Sequence, residues 1–209
     1  MMGHKFFDFK QLNIVSARSK PMPSEPTVLL VPGLGGSGPN HWQSRWEQTR
    51  QGCSFVRQNN WNIPDRQDWL SGLDRAVRAC ATPPILVAHS LGCALVAHWA
   101  ALHPTTPVQA ALLVAPADVD SDQHTPAEVR DFAPMPMARL PFPTSVIAST
   151  TDTYVDTHRA QVFATAWGAD FINIGACGHI NADSRLGDWD KGWDVLEDLI
   201  AAEDALSLA

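Results

Sequence analysis

The stretch Pro84-Ile85-Leu86-Val87-Ala88-His89-Ser90-Leu91-Gly92-Cys93 decides the fold of this chain. Its first half has almost no polar atoms, as in a buried strand, and the residues after Ser90 place apolar side chains at helical spacing. We therefore expect a strand, a sharp turn at Ser90 and a helix, which together form a nucleophile elbow. The turn brings the residues two before and two after the serine close together, so both must be small. Here they are Ala88 and Gly92, a one-methyl departure from the usual G-x-S-x-G pattern.

Length and composition indicate one globular domain. The chain has 209 residues, of which 45% are hydrophobic and 18% are charged, and this is enough apolar material for a sizeable core. The first part of the chain ends in a stretch rich in proline and serine, which breaks regular structure. We expect a peripheral arm over residues 1–26 and the folded domain over residues 27–209.

Charge and hydropathy exclude several classes of partner. The formal net charge is −7 and no Lys/Arg run is dense enough to track phosphates, so we expect no nucleic-acid partner. No apolar run approaches the ~20 residues that span a bilayer, and residues 1–10 lack the apolar core of a secretory signal. The four cysteines are widely spaced and form no C-x-x-C, as expected of reduced thiols. We expect a cytoplasmic protein without membrane association, and a monomer is compatible with the sequence.

Strand-like and helix-like segments alternate along the chain. Apolar runs predict strands at residues 27–31, 84–88, 110–115, 145–149 and 170–174, and residues 54–58 predict a short, weak strand near an edge, which makes about six strands. Apolar residues at helical spacing predict helices between them and a last helix near 193–202. This alternation is typical of a mostly parallel central sheet with helices on both faces, an α/β fold. The polar, proline-rich segment 116–143 either walls a substrate pocket or lies on the surface.

Chemically informative residues follow the strands, at the edge of a parallel sheet where ligands bind. A glycine-rich loop, residues 33–38, follows the first long strand, and Ser90 follows the next. Asp152 and His179 each come a few residues after later strands. The chain order Ser, Asp, His is that of an α/β-hydrolase triad and differs from the orders in chymotrypsin-like and subtilisin-like folds.

The roles of the three residues follow from their chemistry. A serine hydroxyl attacks well only when a neighbouring imidazole takes its proton, so we expect Ser90 as nucleophile and His179 as general base and then general acid. Asp152 is expected to hold the imidazole in the required tautomer. Asp156 and Asp118 are alternative acids. A metal site is not expected, because no cluster of His, Asp and Cys has ligand spacing.

A tetrahedral oxyanion needs fixed hydrogen-bond donors. The backbone N–H of Leu91 at the helix start is one expected donor, and the second comes from the glycine loop, from Leu34 or from Gly35. The loop could also bind phosphate, but it lacks the lysine of a P-loop and the G-x-G-x-x-G of dinucleotide-binding folds.

Several other residues are candidates for the surroundings of the site. His41, His89 and Trp189 are expected to line the pocket, although His41 could instead pack or cap, and His89 is a rival base. Asn40 is expected to cap the helix after the glycine loop. Cys177, two residues before His179, is an alternative nucleophile.

Four stretches of this sequence resemble the small serine hydrolases typified by retinoblastoma-binding protein 9 and the bacterial YdeN-type esterases, namely residues 32–47, 89–93, 149–155 and 178–181. The most specific are G-S-G-P-x-H-W-Q-S-x-W-E and G-H-I-N, and the likeness covers about residues 27–202. The resemblance implies a compact α/β-hydrolase fold with no large lid. It also implies Ser90, Asp152 and His179 as the triad.

The resulting expectation is a serine hydrolase that cleaves small carboxylic esters through an acyl-enzyme and uses no cofactor. Two alternatives stay open. One is an amidase or aminopeptidase-like hydrolase on the same three residues. The other is a non-catalytic module that binds a partner through a surface rich in tryptophan and proline.

Overall fold

The computed structural model describes the backbone of residues 26–207 and the side chains of residues 26–202. Except for Pro26, the predicted arm over residues 1–26 lies outside the described residues. Six strands form one entirely parallel sheet in the order β2-β1-β3-β4-β5-β6. They are β1 (Val28–Val31), β2 (Cys53–Phe55), β3 (Ile85–His89), β4 (Ala110–Val114), β5 (Thr144–Ala148) and β6 (Asp170–Asn173).

Five α-helices connect or follow the strands. They are α1 (Trp42–Thr49), α2 (Arg66–Arg78), α3 (Leu91–Leu102), α4 (Thr157–Trp167) and α5 (Asp190–Ser207). Short 3-10 helices cover Ala127–Phe132 and Ala182–Ser184. The predicted fold class is confirmed: this is an α/β-hydrolase sheet with helices on both faces, and within the described residues no lid domain is inserted. No helix in this part of the chain is long and apolar enough to cross a membrane.

The sheet is buried on both faces because alternate strand residues point to opposite sides. Every residue of β3 and β4 is buried. In β3, Leu86 and Ala88 pack with α2, α3 and α4, while Ile85 and Val87 pack with α1 and α5. Uninterrupted aliphatic runs in the sequence therefore mark the central strands, whereas β2 and β6 are less buried because they are the edges.

Two helix starts differ from the sequence prediction. His41, not Asn40, caps α1, since its Nδ1 accepts the backbone N–H of Gln43 at 3.1 Å. The last helix begins at Asp190, three residues earlier than the apolar spacing indicates. Capping is decided by which side chain reaches the first free N–H groups, and neighbouring polar residues compete for that position.

Helix α3 begins in close contact with the end of β1. A Cβ at Gly92 would collide with the carbonyl oxygen of Val31 and would lie 2.8 Å from that of Pro32. Only a glycine lets the first turn of α3 approach the β1 backbone this closely. The sequence pattern requires a small residue at position 92, and the contact between α3 and β1 explains why.

We expect Gly92→Ala to lower the free energy of unfolding by about 1–3 kcal/mol, because the added methyl group must push α3 away from β1. The measurement is urea denaturation. Gly38→Ala is the matched control, since nothing lies within 4 Å of a Cβ at that position. Its stability should change by less than about 0.5 kcal/mol, and equal stability of both variants would contradict the assigned contact.

Candidate active site

Ser90 lies at the turn between β3 and α3 with φ 56° and ψ −122°. A residue with a side chain is rarely found at such a positive φ, so the surrounding structure must hold the turn in place. The Ser90 N–H donates to the carbonyl oxygen of Val114 at 3.0 Å, which anchors the turn to the end of β4. The conformation is that of a nucleophile elbow.

A continuous hydrogen-bond chain connects the three residues that the sequence pattern singled out. Ser90 Oγ lies 2.8 Å from His179 Nε2, and His179 Nδ1 lies 2.9 Å from both carboxylate oxygens of Asp152. The Asp152 side chain is fully buried and that of His179 is nearly so. This network assigns Nδ1–H as the donor to the carboxylate and leaves Nε2 to accept the serine hydroxyl proton.

Two hydroxyl groups join the loop after β5 to the loop that carries His179. Ser149 Oγ accepts the N–H of Cys177 at 2.9 Å, and Thr151 Oγ1 accepts the N–H of Gly178 at 2.9 Å. These contacts fix the imidazole loop relative to the carboxylate loop. Sequence reasoning missed them because a hydroxyl group that bonds a distant backbone leaves no periodic pattern.

The imidazole loop is also held from the opposite side. His89 Nε2 donates to the carbonyl oxygen of His179 at 2.9 Å, and Trp42 Nε1 donates to that of Ile180 at 2.8 Å. His89 therefore does not occupy the position of the base, and its ring supports the backbone of the residue that does. On the side of the loop after β5, Tyr154 places its ring centroid 4.4 Å from that of His179.

The alternative acids are engaged elsewhere. Asp118 accepts a hydrogen bond from the Arg159 guanidinium at 3.3 Å. Asp156 caps α4 by accepting the N–H of His158 at 2.8 Å. Among Asp118, Asp152 and Asp156, only Asp152 contacts His179 in the part of the chain that the structure describes.

The glycine loop after β1 packs directly on the serine turn. A Cβ at Gly33 would lie 2.8 Å from Ser90 Cβ and 3.1 Å from the amide nitrogen of Leu91. The next amide along the loop, that of Leu34, is therefore brought close to the start of α3. Glycine is required at position 33 by this approach rather than by an unusual backbone angle.

The loop amides differ in whether they are already bonded. The Gly35 N–H donates to the carbonyl oxygen of Trp61 at 2.8 Å. The N–H groups of Leu34 and Leu91 have no protein acceptor within residues 26–207. Both residues line the cavity beside Ser90. Of the two loop donors considered from the sequence, Leu34 is thus the one that is free.

A buried glutamine holds the far end of this loop. Gln43 Nε2 donates to the carbonyl oxygen of Val87 in β3 at 3.0 Å, and its Oε1 accepts from Ser37 Oγ at 2.6 Å. Ser44 Oγ donates to the carbonyl oxygen of Ser37 at 2.7 Å. The first turn of α1 therefore links the loop to the central strand, a role that the sequence analysis did not assign to Gln43.

A cavity of about 210 Å³ opens at Ser90 and His179. His41 and His89 line it, as the sequence analysis expected. The expectation that Trp189 lines it is wrong. Trp189 is not among the lining residues and is only 7% exposed, because its ring packs in the core with those of Trp42 and Trp46.

The irregular, proline-rich segment between β4 and β5 forms one wall of the cavity. Thr125 and Val129 from this segment line it. The Arg130 guanidinium fixes the wall by donating to the carbonyl oxygens of Val119, Ser121 and Thr125, at 3.2, 3.0 and 2.7 Å. One cation thus joins three carbonyl groups of this segment, of which that of Ser121 also accepts hydrogen bonds from Thr125.

Apolar side chains, hydroxyl groups, imidazoles and one amide side chain line the cavity beside Ser90. Within the described part of the chain, no Asp, Glu, Lys or Arg side chain lines it. Burial, with a smaller effect of His179, lowers the pKa of His41 to about 4. Burial also lowers the pKa of His89 well below its ordinary value. Both imidazoles are therefore neutral at neutral pH. No three His, Cys, Asp or Glu side chains are grouped as metal ligands among the described residues.

A family model described as serine hydrolase matches residues 28–198. The chain belongs to this family. It is accordingly a hydrolase, of the YdeN-like kind that the sequence resemblance indicated. No curated protein sequence matches this serine hydrolase.

Solved structures agree with the family assignment. A protein described as a YdeN-like hydrolase from Pectobacterium atrosepticum is 31% identical, with a TM-score of 0.76 and coverage of 85% of this chain and 91% of that one. The ydeN gene product of B. subtilis is 19% identical, with a TM-score of 0.67 and coverage of 84% and 99%. A monoacylglycerol lipase from Paleococcus ferrophilus is 12% identical, with a TM-score of 0.60 and coverage of 84% and 96%. The last two show likeness of fold alone.

The buried neutral imidazoles make the stability of this serine hydrolase depend on pH. Below pH 6.5 the unfolded state gains a proton that folded His41 does not take up, because the pKa of His41 in the folded protein is about 4. The contribution of neutral His41 to the free energy of unfolding is therefore fully present above pH 6.5, and it falls as the pH is lowered towards 4. His41 alone should contribute a loss of about 2 kcal/mol between pH 7 and pH 5.

Urea denaturation at both pH values tests this expectation. The pH-dependent loss should shrink in His41→Asn, since asparagine does not titrate. The exposed His158 gives the matched control: His158→Asn should keep the full loss. If His41→Asn kept it as well, another group would be responsible for the acid sensitivity.

Proposed function

We propose that this serine hydrolase cleaves small, uncharged carboxylic esters through an acyl-enzyme, with Ser90, His179 and Asp152 as its catalytic triad. The observation that carries the proposal is the hydrogen-bond chain from Ser90 Oγ through His179 to the buried Asp152 carboxylate, at the mouth of a cavity. This is the arrangement in which an imidazole can activate a serine hydroxyl.

In the first half of the reaction, Ser90 Oγ bonds to the ester carbonyl carbon while His179 Nε2 takes the hydroxyl proton. The imidazolium formed is stabilised by Asp152. The bond from the carbonyl carbon to the alcohol oxygen then breaks, and His179 gives the proton to the leaving alkoxide. The products of this half are a free alcohol and an acyl group on Ser90.

In the second half, water replaces the alcohol. His179 Nε2 removes a proton from the water as its oxygen bonds to the acyl carbon. The bond to Ser90 Oγ breaks, His179 returns the proton to the serine, and a carboxylic acid leaves. In both halves the N–H groups of Leu34 and Leu91, which have no acceptor within residues 26–207, bind the oxyanion.

The dimensions and charge of the cavity support the substrate class. Its volume of about 210 Å³ is smaller than the ~300–1,000 Å³ of typical drug-sized ligand sites. The absence of charged side chains from the described lining disfavours substrates with a net charge, since nothing there compensates the cost of desolvating an ion. Small neutral esters meet both conditions.

An aminopeptidase-like activity of the same three residues is less well supported. A free α-ammonium group on the substrate requires a carboxylate or several acceptors to receive it. Within the described residues, no carboxylate lines the cavity. An amidase acting on neutral amides stays as the narrower alternative, and comparing matched acyl amides with esters separates the two activities.

A non-catalytic binding module is also less well supported. The tryptophan-rich surface that it would need is absent, because all eight tryptophans are buried or half-buried. We further propose that the protein acts in the cytoplasm on a small-molecule substrate, without nucleic-acid or membrane partners. The domain over residues 27–209 would then suffice for activity.

We expect a fluorophosphonate probe to form one covalent adduct, on Ser90, because only an activated serine reacts readily with it. Mass spectrometry of the labelled protein locates the adduct. Ser90→Ala should abolish it, whereas Cys177→Ala, which removes the alternative nucleophile, should retain it. An adduct that persists in Ser90→Ala would refute the nucleophile assignment.

We expect Asp152→Asn to lower kcat for p-nitrophenyl acetate by roughly 10³–10⁴-fold, because an amide no longer enforces the tautomer that leaves His179 Nε2 free. Asp156→Asn is the matched control for the rival acid, since asparagine caps a helix as well as aspartate does. Its kcat should stay within about twofold of wild type. Circular dichroism of both variants verifies their fold. A large loss of kcat in Asp156→Asn with little loss in Asp152→Asn would instead assign the role of the acid to Asp156.

A further inference from the structure

One large hydrophobic side chain of the cavity is exposed. Among the described residues, the exposed large hydrophobic side chains are those of Ile63, Leu102, Met137 and Tyr154. Tyr154 is the one of these four that lines the cavity. It is 39% exposed, whereas the imidazoles of His41 and His89, which also line the cavity, are buried. The ring of Tyr154 is therefore accessible to a ligand that enters the cavity.

Hydrogen bonds hold the backbone of Tyr154 on both sides. Its N–H donates to Oδ1 of Asp152 at 2.8 Å, and its carbonyl oxygen accepts the N–H of Asp118 at 3.0 Å. The Asp118 carboxylate is itself bound by Arg159 of α4. Because the backbone is fixed and a tyrosine side chain has few rotatable bonds, little conformational freedom is lost when a ligand packs on the ring.

Proton transfer decides which part of an ester is brought towards this ring. In the proposed reaction His179 Nε2 gives a proton to the leaving alkoxide, so the alcohol oxygen must come within hydrogen-bond reach of Nε2. The Tyr154 ring centroid lies 4.4 Å from that of His179, with the two rings tilted by 46°. The acyl part instead stays bonded to Ser90, with its oxyanion at the amides of Leu34 and Leu91. The alcohol part is thus the part that meets Tyr154.

The size and chemistry of the cavity suit one aromatic ring. An exposed phenol ring presents a flat apolar face and a polarised edge, on which another aromatic ring packs better than a saturated group of equal size. An apolar cavity of roughly 150 Å³ holds a benzene molecule. The volume of about 210 Å³ beside Ser90 therefore accommodates a single ring together with a compact acyl group.

We infer that Tyr154 is a specificity-determining residue whose ring packs against the alcohol part of the substrate. This inference rests on the proposed function, since it uses the direction of proton transfer in ester cleavage. The preferred substrates are then neutral esters of a compact carboxylic acid with an alcohol that carries one aromatic ring.

The test uses two pairs of esters in which a phenyl ring replaces a cyclohexyl ring. Benzyl acetate and cyclohexylmethyl acetate differ in the alcohol part, and ethyl phenylacetate and ethyl cyclohexylacetate differ in the acyl part. The quantity measured is the ratio of kcat/KM within each pair. Comparing this ratio between variants cancels the intrinsic reactivity of the esters.

Tyr154→Leu is the informative variant, because leucine keeps an apolar side chain but removes the flat ring. The preference for benzyl acetate over cyclohexylmethyl acetate should fall about fivefold relative to wild type. Tyr154→Met, which also lacks a ring, serves as the second variant. Tyr154→Phe is the matched control, since it retains the ring and should retain the wild-type ratio. A displaced His179 would slow the cleavage of all four esters alike and would leave both ratios unchanged.

Three outcomes of this comparison would overturn the inference. The first is an unchanged ratio of the alcohol pair in both Tyr154→Leu and Tyr154→Met. The second is a larger change in the acyl pair than in the alcohol pair, which would place the ring beside the acyl group. The third is loss of the preference in Tyr154→Phe, which would assign it to the hydroxyl group.

Binding of the free alcohols separates this inference from the proposed reaction. Benzyl alcohol and cyclohexylmethanol are titrated into wild-type protein and Tyr154→Leu, and NMR gives the dissociation constants. A ratio of the two constants that favours benzyl alcohol about fivefold more in wild type supports the inference. An equal ratio in both proteins, or no binding, overturns it. Failure of wild-type protein to hydrolyse any ester and to label at Ser90 would instead refute the proposed function, and the titration would still decide the role of Tyr154.

Discussion

The close approach of the β1 end to the serine turn is the constraint on which the site depends. Two glycines permit it: Gly92 lets α3 start against the backbone of β1, and Gly33 lets the following loop lie against Ser90. Larger side chains at either position would separate the loop from the turn. The unusual backbone angles of Ser90 and the amides of Leu34 and Leu91, which have no acceptor within the described residues, therefore depend on the same contact between the β1 end and the serine turn.

The sequence predicts most of the architecture because the central strands are buried on both sides. Continuous aliphatic runs are typical of strands that are buried on both faces. The residues that follow such strands converge on one edge of a parallel sheet. That topology places Ser90, Asp152 and His179 at the same edge of the sheet, although it leaves Asp118 and Asp156 there as alternative acids. Helix starts were less accurate, as Asn40 and His41 show, because both are polar residues within reach of the same free N–H groups.

The supporting contacts could not be predicted in this way. Gln43, Ser149, Thr151 and Arg130 act by bonding to main-chain groups distant in sequence, and such bonds impose no spacing on the sequence. Trp189 shows the opposite error. Its position shortly after His179 in the sequence suggested a place in the cavity, but its large apolar ring stabilises the protein more when packed against other tryptophans in the core.

The polar groups of the site are divided between two tasks. His89 and Trp42 donate hydrogen bonds to the backbone of the loop that carries His179. These donors hold that loop in position. The amides of Leu34 and Leu91 are left unbonded within the described chain, and both residues line the cavity. A site that keeps its positioning donors apart from its vacant ones can receive a ligand without disturbing its own framework.

The position of the Tyr154 ring beside His179 has a practical meaning, because Tyr154 is the only tyrosine in the chain. Every tyrosine signal of this protein comes from one ring, 4.4 Å from the imidazole and 39% exposed to solvent. If the protein is produced with fluorotyrosine in place of tyrosine, the fluorine label is therefore present at Tyr154 alone, beside His179. The molecule carries its own single-position spectroscopic reporter, placed where charge on the imidazole would appear and disappear.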